Sequence, residues 1–130
     1  MIDWESAYRN DPLVDVAIVL DNLARSPELE EILLTAWLGH TPDEALRTRL
    51  GLVRALTRLY YAGVLFSASA TTPRAAPDSN LTAPTAAELQ QATHDARLRA
   101  GTPATKHVLG KMFLASFLSG VATPGFDLAV

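Results

Sequence analysis

The sequence predicts an all-α protein of about five mostly antiparallel helices. Two observations favour this fold class: signals for the start of a helix recur along the chain, and apolar residues follow them at intervals of three and four. A chain of 130 residues is long enough for one compact domain, which we expect to span 1–130. A short strand at 2–4 is the one non-helical element that the pattern allows.

Three start signals define the first three helices. Asp11 and Pro12, and then Ser26 and Pro27, each combine a capping side chain with a proline suited to the first helical position. Thr41 and Glu44 have the spacing of a capping box. We therefore expect helices over about 12–24, from 27 to a left-handed cap at Gly39, and over about 42–66.

The apolar residues of these helices are expected to form the core, while the arginines of the third helix cover its solvated sides. Gly63, inside the third helix, is expected to mark a bend or a close contact. The predicted core-facing residues are Leu13, Val16, Ala17, Leu20, Leu23 and Ala24, then Leu29, Ile32, Leu33, Ala36 and Trp37, then Leu46, Leu50, Val53, Leu56, Tyr60, Tyr61 and Val64. The solvated arginines are Arg47, Arg49, Arg54 and Arg58.

The second half of the chain begins with a change of composition. Residues 67–84 are small, polar and interrupted by proline, which predicts a loop. Thr85 and Glu88 form another capping-box pattern, from which we expect a helix to about Ala100. Thr102 and Pro103 then start a last helix, which Gly120 and Pro124 end.

Composition and charge exclude several classes of function. With 11 basic and 14 acidic side chains, the net charge of −3 offers no electrostatic footprint for nucleic acid. There is no cysteine, and the three histidines lack metal-ligand spacing. Asp15 and Asp21 interrupt the apolar run at 12–24, so no membrane span is expected there. The first residues do not resemble a signal peptide, and we expect a cytoplasmic protein.

One segment has a composition that suggests chemistry. In residues 2–17, IDWESAYRNDPLVDVA, Asp3 and Glu5 lie beside aromatic residues shortly before a capped helix. A carboxylate at the end of a short buried strand suits Mg²⁺, which prefers one or two protein carboxylates together with phosphate oxygens and water. The alternative interpretation is a solvated acidic terminus.

This segment resembles the motif I-D-W/F-E-x-A-x-x-N-D-P-x-x-D-L-A of choline/ethanolamine kinases and the wider aminoglycoside-phosphotransferase-like family, and 26–62 is similar to their helical C-terminal lobe. The resemblance implies that Asp3 bridges Mg²⁺ to the ATP phosphates and that Glu5 lies near metal or substrate. It implies a structural role for Asn10 and Asp15, which would brace the turn and the catalytic loop. Ser6 departs from the aromatic residue usual in choline kinases, which argues against a choline-type cage.

Three aromatic residues are candidates for an acceptor pocket. Cationic amines bind over aromatic faces, so Trp37, Tyr60 and Tyr61 are predicted to bind the substrate. The acceptor implied by the resemblance is a small alcohol or amino alcohol. The alternative is that these side chains belong to the core, which is the commoner fate of aromatic residues at helical spacing.

The sequence lacks two further elements that ATP-dependent phosphoryl transfer requires. It contains no Gly-rich phosphate loop and no H-x-D-x-x-x-x-N catalytic loop. We therefore expect a C-terminal-lobe fragment of an ATP-dependent phosphotransferase that is inactive alone, with Mg²⁺ and ATP bound only in the intact protein and the N-terminal lobe as its missing partner. The alternative is a non-catalytic helical module for interaction or self-association.

Overall fold

The computed structural model describes residues 11–72 and 78–122. Over these residues the chain is all-α, as predicted, and no strand occurs among them. The predicted strand at 2–4 lies outside the described residues. Close contacts divide the chain into two compact units, one up to Arg54 and one from Ala55. The helices are α1 (Pro12–Leu23), α2 (Pro27–Leu38), α3 (Glu44–Ser69), α4 (Ala86–His94) and α5 (Pro103–Val121).

The predicted ends of α1 and α2 are confirmed by their hydrogen bonds. The amide of Leu13 donates to the Asp11 carboxylate at 3.0 Å, and the amide of Leu29 donates to the Ser26 hydroxyl at 3.2 Å. Gly39 closes α2 in the left-handed conformation, with φ of 77°. These groups satisfy backbone donors and acceptors that a helix end would otherwise leave without partners.

α3 differs from its prediction at both ends. Asp43, rather than Thr41, caps the helix, because its carboxylate accepts the amide of Leu46 at 2.8 Å. The helix continues to Ser69 instead of 66, so the expected loop starts after Ser69. No described atom lies within 4 Å of the position that a Cβ on Gly63 would occupy, so the expectation of a close contact there was wrong.

α4 is shorter than expected, whereas its start is confirmed. The Thr85 hydroxyl accepts the amide of Glu88 at 3.2 Å, and the Glu88 carboxylate accepts the amide of Thr85 at 2.7 Å, which completes the capping box. The helix ends at His94 instead of Ala100 because Ala96 adopts a left-handed conformation, with φ of 56°. The start of α5 at its Thr102 cap is also confirmed.

The first unit buries aliphatic side chains. The predicted face of α1 is confirmed, except that Leu23 is exposed. The prediction for α2 is confirmed for Leu33, which packs against the core, but it was wrong for Ile32, which is 62% exposed, and it missed Leu34, the buried residue of this helix. Leu34 and Leu38 place apolar residues on a second side of α2, so the spacing alone could not select the inner face. The core consists of Leu13, Val16, Ala17, Leu20, Leu34 and Leu50, with Ala24, Leu33, Leu46 and Val53 packed against it.

The second unit buries small side chains. Along α3 the buried residues of this unit are Ala55, Ala62 and Ser69, one in every seven positions. The predicted core face of this stretch was wrong for Leu56, Tyr60 and Val64, which are exposed. Small side chains carry a weak apolar signal, and the large residues beside them dominated the pattern. Among the other described residues of this unit, those that are buried are Ala92, Thr105 and Gly110.

Candidate functional site

Of the four residues to which the family resemblance assigns a role, the structure describes Asp15. Asp3, Glu5 and Asn10 lie outside the described residues. Asp15 is exposed in the first turn of α1, where a negative charge interacts favourably with the positive end of the helix dipole. Within 11–72 and 78–122, no three His, Asp or Glu side chains form a group that could hold a metal ion. The magnesium site therefore stays a prediction.

The predicted substrate-binding aromatics lie in both units. Trp37, in the first unit, is exposed on the last turn of α2. Tyr60 and Tyr61, in the second unit, have ring centroids 5.8 Å apart in an edge-on arrangement, and Tyr61 also packs against Phe113 at 5.6 Å. Assignment to the core was wrong for Trp37 and for Tyr60, which is 64% exposed. Their role in binding a substrate stays a prediction.

In the first unit, the half-buried Arg54 links its own helix, α3, to α1 and α2. The Arg54 guanidinium donates to the Asp21 carboxylate of α1 at 2.8 Å and to the Glu30 carboxylate of α2 at 2.8 Å. Burial lowers the pKa of Arg54, but the hydrogen bonds and negative charges of Asp21 and Glu30 together raise it above its ordinary value. The prediction of a merely solvated arginine face was therefore wrong at this position. Arg47 forms a further pair with Glu31 at 2.9 Å.

Asp11 combines two interactions at the start of α1. Its carboxylate accepts the amide of Leu13 and also pairs with Arg49 of α3. The Leu13 amide, followed by Arg49, holds the pKa of Asp11 below its ordinary value against the opposing effect of burial. Asp11, which directly follows Asn10 in the motif, is thus held both to its own helix, α1, and to α3.

In the second unit, a cluster of charged side chains was not predicted from the sequence. One carboxylate oxygen of Asp78, Oδ2, accepts Lys111 Nζ at 2.7 Å and His107 Nε2 at 2.8 Å. The other oxygen, Oδ1, accepts the amide of Asn80 at 3.0 Å. Lys111, then His107 and then the Asn80 amide lower the pKa of Asp78 well below its ordinary value. An ionised carboxylate only accepts hydrogen bonds, so Nε2 of His107 carries the hydrogen in this arrangement.

The cluster borders a cavity of about 460 Å³ whose walls are partly apolar. Phe66, Leu81 and Leu114 line it together with Asp78, His107 and Lys111. The ring of Phe66 packs against His107, with centroids 5.3 Å apart. Gly110 makes room for that ring, since a Cβ at this position would lie 2.8 Å from Phe66 Cε1.

The sequence carried a partial signal for this cluster. His107 and Lys111 are four residues apart and therefore share one side of α5. The burial of His107 carried no such signal, and its side chain is only 16% exposed. Asp78 follows a proline within a polar segment, where nothing indicated a partner 29 residues away.

Comparison with known proteins assigns no role to the site residues predicted from the sequence or to the cluster around Asp78. The chain matches no protein-family model, no curated protein and no solved structure. Among the described helices, none has the length and apolar character needed to cross a membrane.

Proposed function

We propose that this chain is the helical C-terminal part of an ATP-dependent small-molecule phosphotransferase of the choline-kinase-like or aminoglycoside-phosphotransferase-like type. The reaction would transfer the ATP γ-phosphoryl group to the hydroxyl of a small alcohol or amino alcohol in the cytoplasm. The chain alone would be inactive, because its sequence has neither a phosphate-covering loop nor a catalytic loop with a base.

The observation that carries the proposal is the double anchoring of Asp11. In the motif that supports the family resemblance, Asp11 and Pro12 follow the acidic residues by a few positions. The Asp11 carboxylate caps α1 through Leu13 and pairs with Arg49 of α3. A fixed point directly after a metal-binding segment suits phosphoryl transfer, because that reaction depends on positioning and on neutralising charge.

The proposed metal residues have suitable chemistry. Asp3 and Glu5 are oxygen donors of the kind that Mg²⁺ prefers, and they would hold the ion with Asp3 as the main ligand. When bound, the ion would neutralise charge on the ATP phosphates. Trp37 in one unit, and Tyr60 and Tyr61 in the other, would offer aromatic faces to an ammonium group of the acceptor.

The decisive experiment begins with the coding sequence upstream of Met1. We expect an in-frame segment that encodes a nucleotide-binding lobe and a catalytic loop. In the longer protein, Asp3→Asn should abolish Mg²⁺-dependent phosphoryl transfer, whereas Asp43→Asn, which alters a helix cap, should preserve it. A stop codon directly upstream with no kinase-like frame nearby would remove the basis of the proposal, as would robust ATP turnover by the chain alone.

A second candidate function is a non-catalytic module that self-associates. The observation that favours it is the row of exposed apolar residues on α3, Leu56, Tyr60 and Val64. Large exposed apolar patches commonly mark interaction sites. If this function holds, Tyr60→Ser should shift the sedimentation of the chain towards the monomer, while Leu118→Ser, at an exposed leucine of α5, should not. Sedimentation as a monomer at every concentration would exclude it.

A further inference from the structure

Lys111 and His107 form a pair of donors built into α5. They lie one helical turn apart, and both reach the same oxygen, Oδ2 of Asp78, at 2.7 and 2.8 Å. Their side chains are only 13% and 16% exposed. A lysine removed from water to this extent requires an anion nearby, because an uncompensated buried charge is costly.

The two sides of this interaction differ in how firmly they are held. The donors belong to a helix of 19 residues, and the ring of Phe66 packs against His107. Asp78 belongs to a stretch, 78–85, that has no regular secondary structure. Its carboxylate is held by the two donors and by the amide of Asn80. The donors are therefore preorganised, whereas the carboxylate is the part that can exchange.

The space beside the donors has the size of a small-ligand site. The cavity of about 460 Å³ is within the range of small-molecule pockets. Phe66, Leu81 and Leu114 supply apolar walls, and the charged cluster lies at the polar part of the lining. A ligand that matches this lining carries an anionic group at one end and an apolar body at the other.

We propose that His107 and Lys111 form a carboxylate-binding pair, occupied in this structure by Asp78 of the same chain, and that a small organic acid with an apolar body competes with Asp78 for it. The acid would place its carboxylate against the two donors and its body against Phe66 and Leu114. Asp78 thus acts as an internal competitor that weakens binding. An amine is the less suitable ligand, because the Asp78 carboxylate already accepts three hydrogen bonds.

The experiment compares two variants that each lose one carboxylate. Asp78→Asn removes the internal competitor, while Asp95→Asn, the matched control, removes a carboxylate that pairs with Arg97 on the surface of the same unit. Benzoate is the probe, and benzyl alcohol and benzylammonium are its neutral and cationic counterparts. Binding to the 130-residue chain is followed by NMR through the ring protons of His107 and the amide of Asn80.

We expect Asp78→Asn to bind benzoate about tenfold or more tightly than the wild type, since a competitor that is mostly bound reduces the apparent affinity in proportion. Asp95→Asn should bind as the wild type does. Adding Lys111→Met to Asp78→Asn should abolish the gain. Equal affinity in Asp78→Asn and Asp95→Asn would overturn the proposal, and so would a preference for benzylammonium over benzoate.

Circular dichroism shows whether Asp78→Asn folds. If it does not fold, the wild type decides the question, because high concentrations of benzoate should displace Asp78 and shift the Asn80 amide that donates to it. A shift with benzoate and none with benzyl alcohol supports the proposal. The absence of any benzoate-specific shift in the wild type overturns it.

Discussion

The two units of this chain are stabilised by different kinds of buried side chain. The first buries leucine and valine, and charged pairs around Arg54 and Arg47 connect its helices. The second buries mainly alanine, glycine, serine and threonine. Helices of similar composition can thus pack through bulky residues or through small ones that allow close approach.

This difference predicts opposite sensitivities. Burial of large side chains is damaged by truncation, which leaves a cavity, whereas burial of small ones is damaged by enlargement, which forces neighbouring atoms apart. The first unit should therefore respond most to loss of volume and the second to gain of volume. Substitutions in each unit test this contrast in sensitivity.

The largest effect is expected at Leu20, which is buried in the core of the first unit. Leu20→Ala should lower the free energy of unfolding by about 2–5 kcal/mol, because it removes apolar contacts and leaves a cavity. Urea unfolding followed by circular dichroism measures the change. Leu23→Ala, at an exposed leucine of the same helix, should cost less than about 0.5 kcal/mol. Equal costs would show that the core has been wrongly located.

Gly110 tests the opposite sensitivity in the second unit. A Cβ there would meet the Phe66 ring at 2.8 Å, while the same atom on Gly63 would meet nothing within 4 Å among the described residues. Both glycines lie inside helices, so alanine gains the same helix propensity at each. Gly110→Ala should therefore be about 1–3 kcal/mol less stable than Gly63→Ala in urea unfolding. Equal stability of the two variants would argue against tight packing of Phe66 on Gly110.

Arg54 tests the charged pairs of the first unit. Arg54→Met keeps the apolar stem but removes the cation that Asp21 and Glu30 share, and should cost about 1–2 kcal/mol. Arg97→Met, at the more exposed pair with Asp95, should cost less than about 0.5 kcal/mol. Both values come from urea unfolding at low ionic strength. A stabilised Arg54→Met would mean that desolvation outweighs pairing at this site.

The smallest effect concerns acid sensitivity in the second unit. The pKa of Asp78 is lowered in the folded chain, chiefly by Lys111 and then by His107, so the unfolded chain binds more protons in acid. The stabilisation by Asp78 is present above the carboxyl's ordinary pKa and is lost as the pH falls below it. Asp78→Asn should therefore show a smaller fall in Tm than the wild type between about pH 5 and pH 2. Asp95→Asn is the control, and identical profiles for Asp78→Asn and the wild type would contradict the prediction.

Much of the helical pattern could be predicted because helix ends depend on local chemistry. The caps at Asp11, Ser26, Thr85 and Thr102 each involve a side chain and an amide two or three residues away, so a short stretch of sequence contains the whole interaction. The early end of α4 was missed because it depends on Ala96, a residue type that rarely adopts a left-handed conformation.

The candidate sites were less predictable, because their interactions are distant in sequence. The pair of Asp78 with His107 and the pair of Asp21 with Arg54 each join residues about 30 positions apart. The pattern of apolar residues also failed where a helix is apolar on more than one side, as in α2, or where small residues such as Ala62 form the inner face.

The turn after α4 has a consequence for the thermal stability of this protein. Ala96 holds a backbone conformation, φ of 56°, in which its methyl group crowds the following carbonyl at a cost of about 1–2 kcal/mol. Deleting that methyl, as Ala96→Gly does, relieves the crowding, although the greater freedom of glycine in the unfolded chain offsets part of the gain. Ala96→Gly is therefore expected to raise the melting temperature, and it does so at a position remote in sequence from the acidic N-terminal motif.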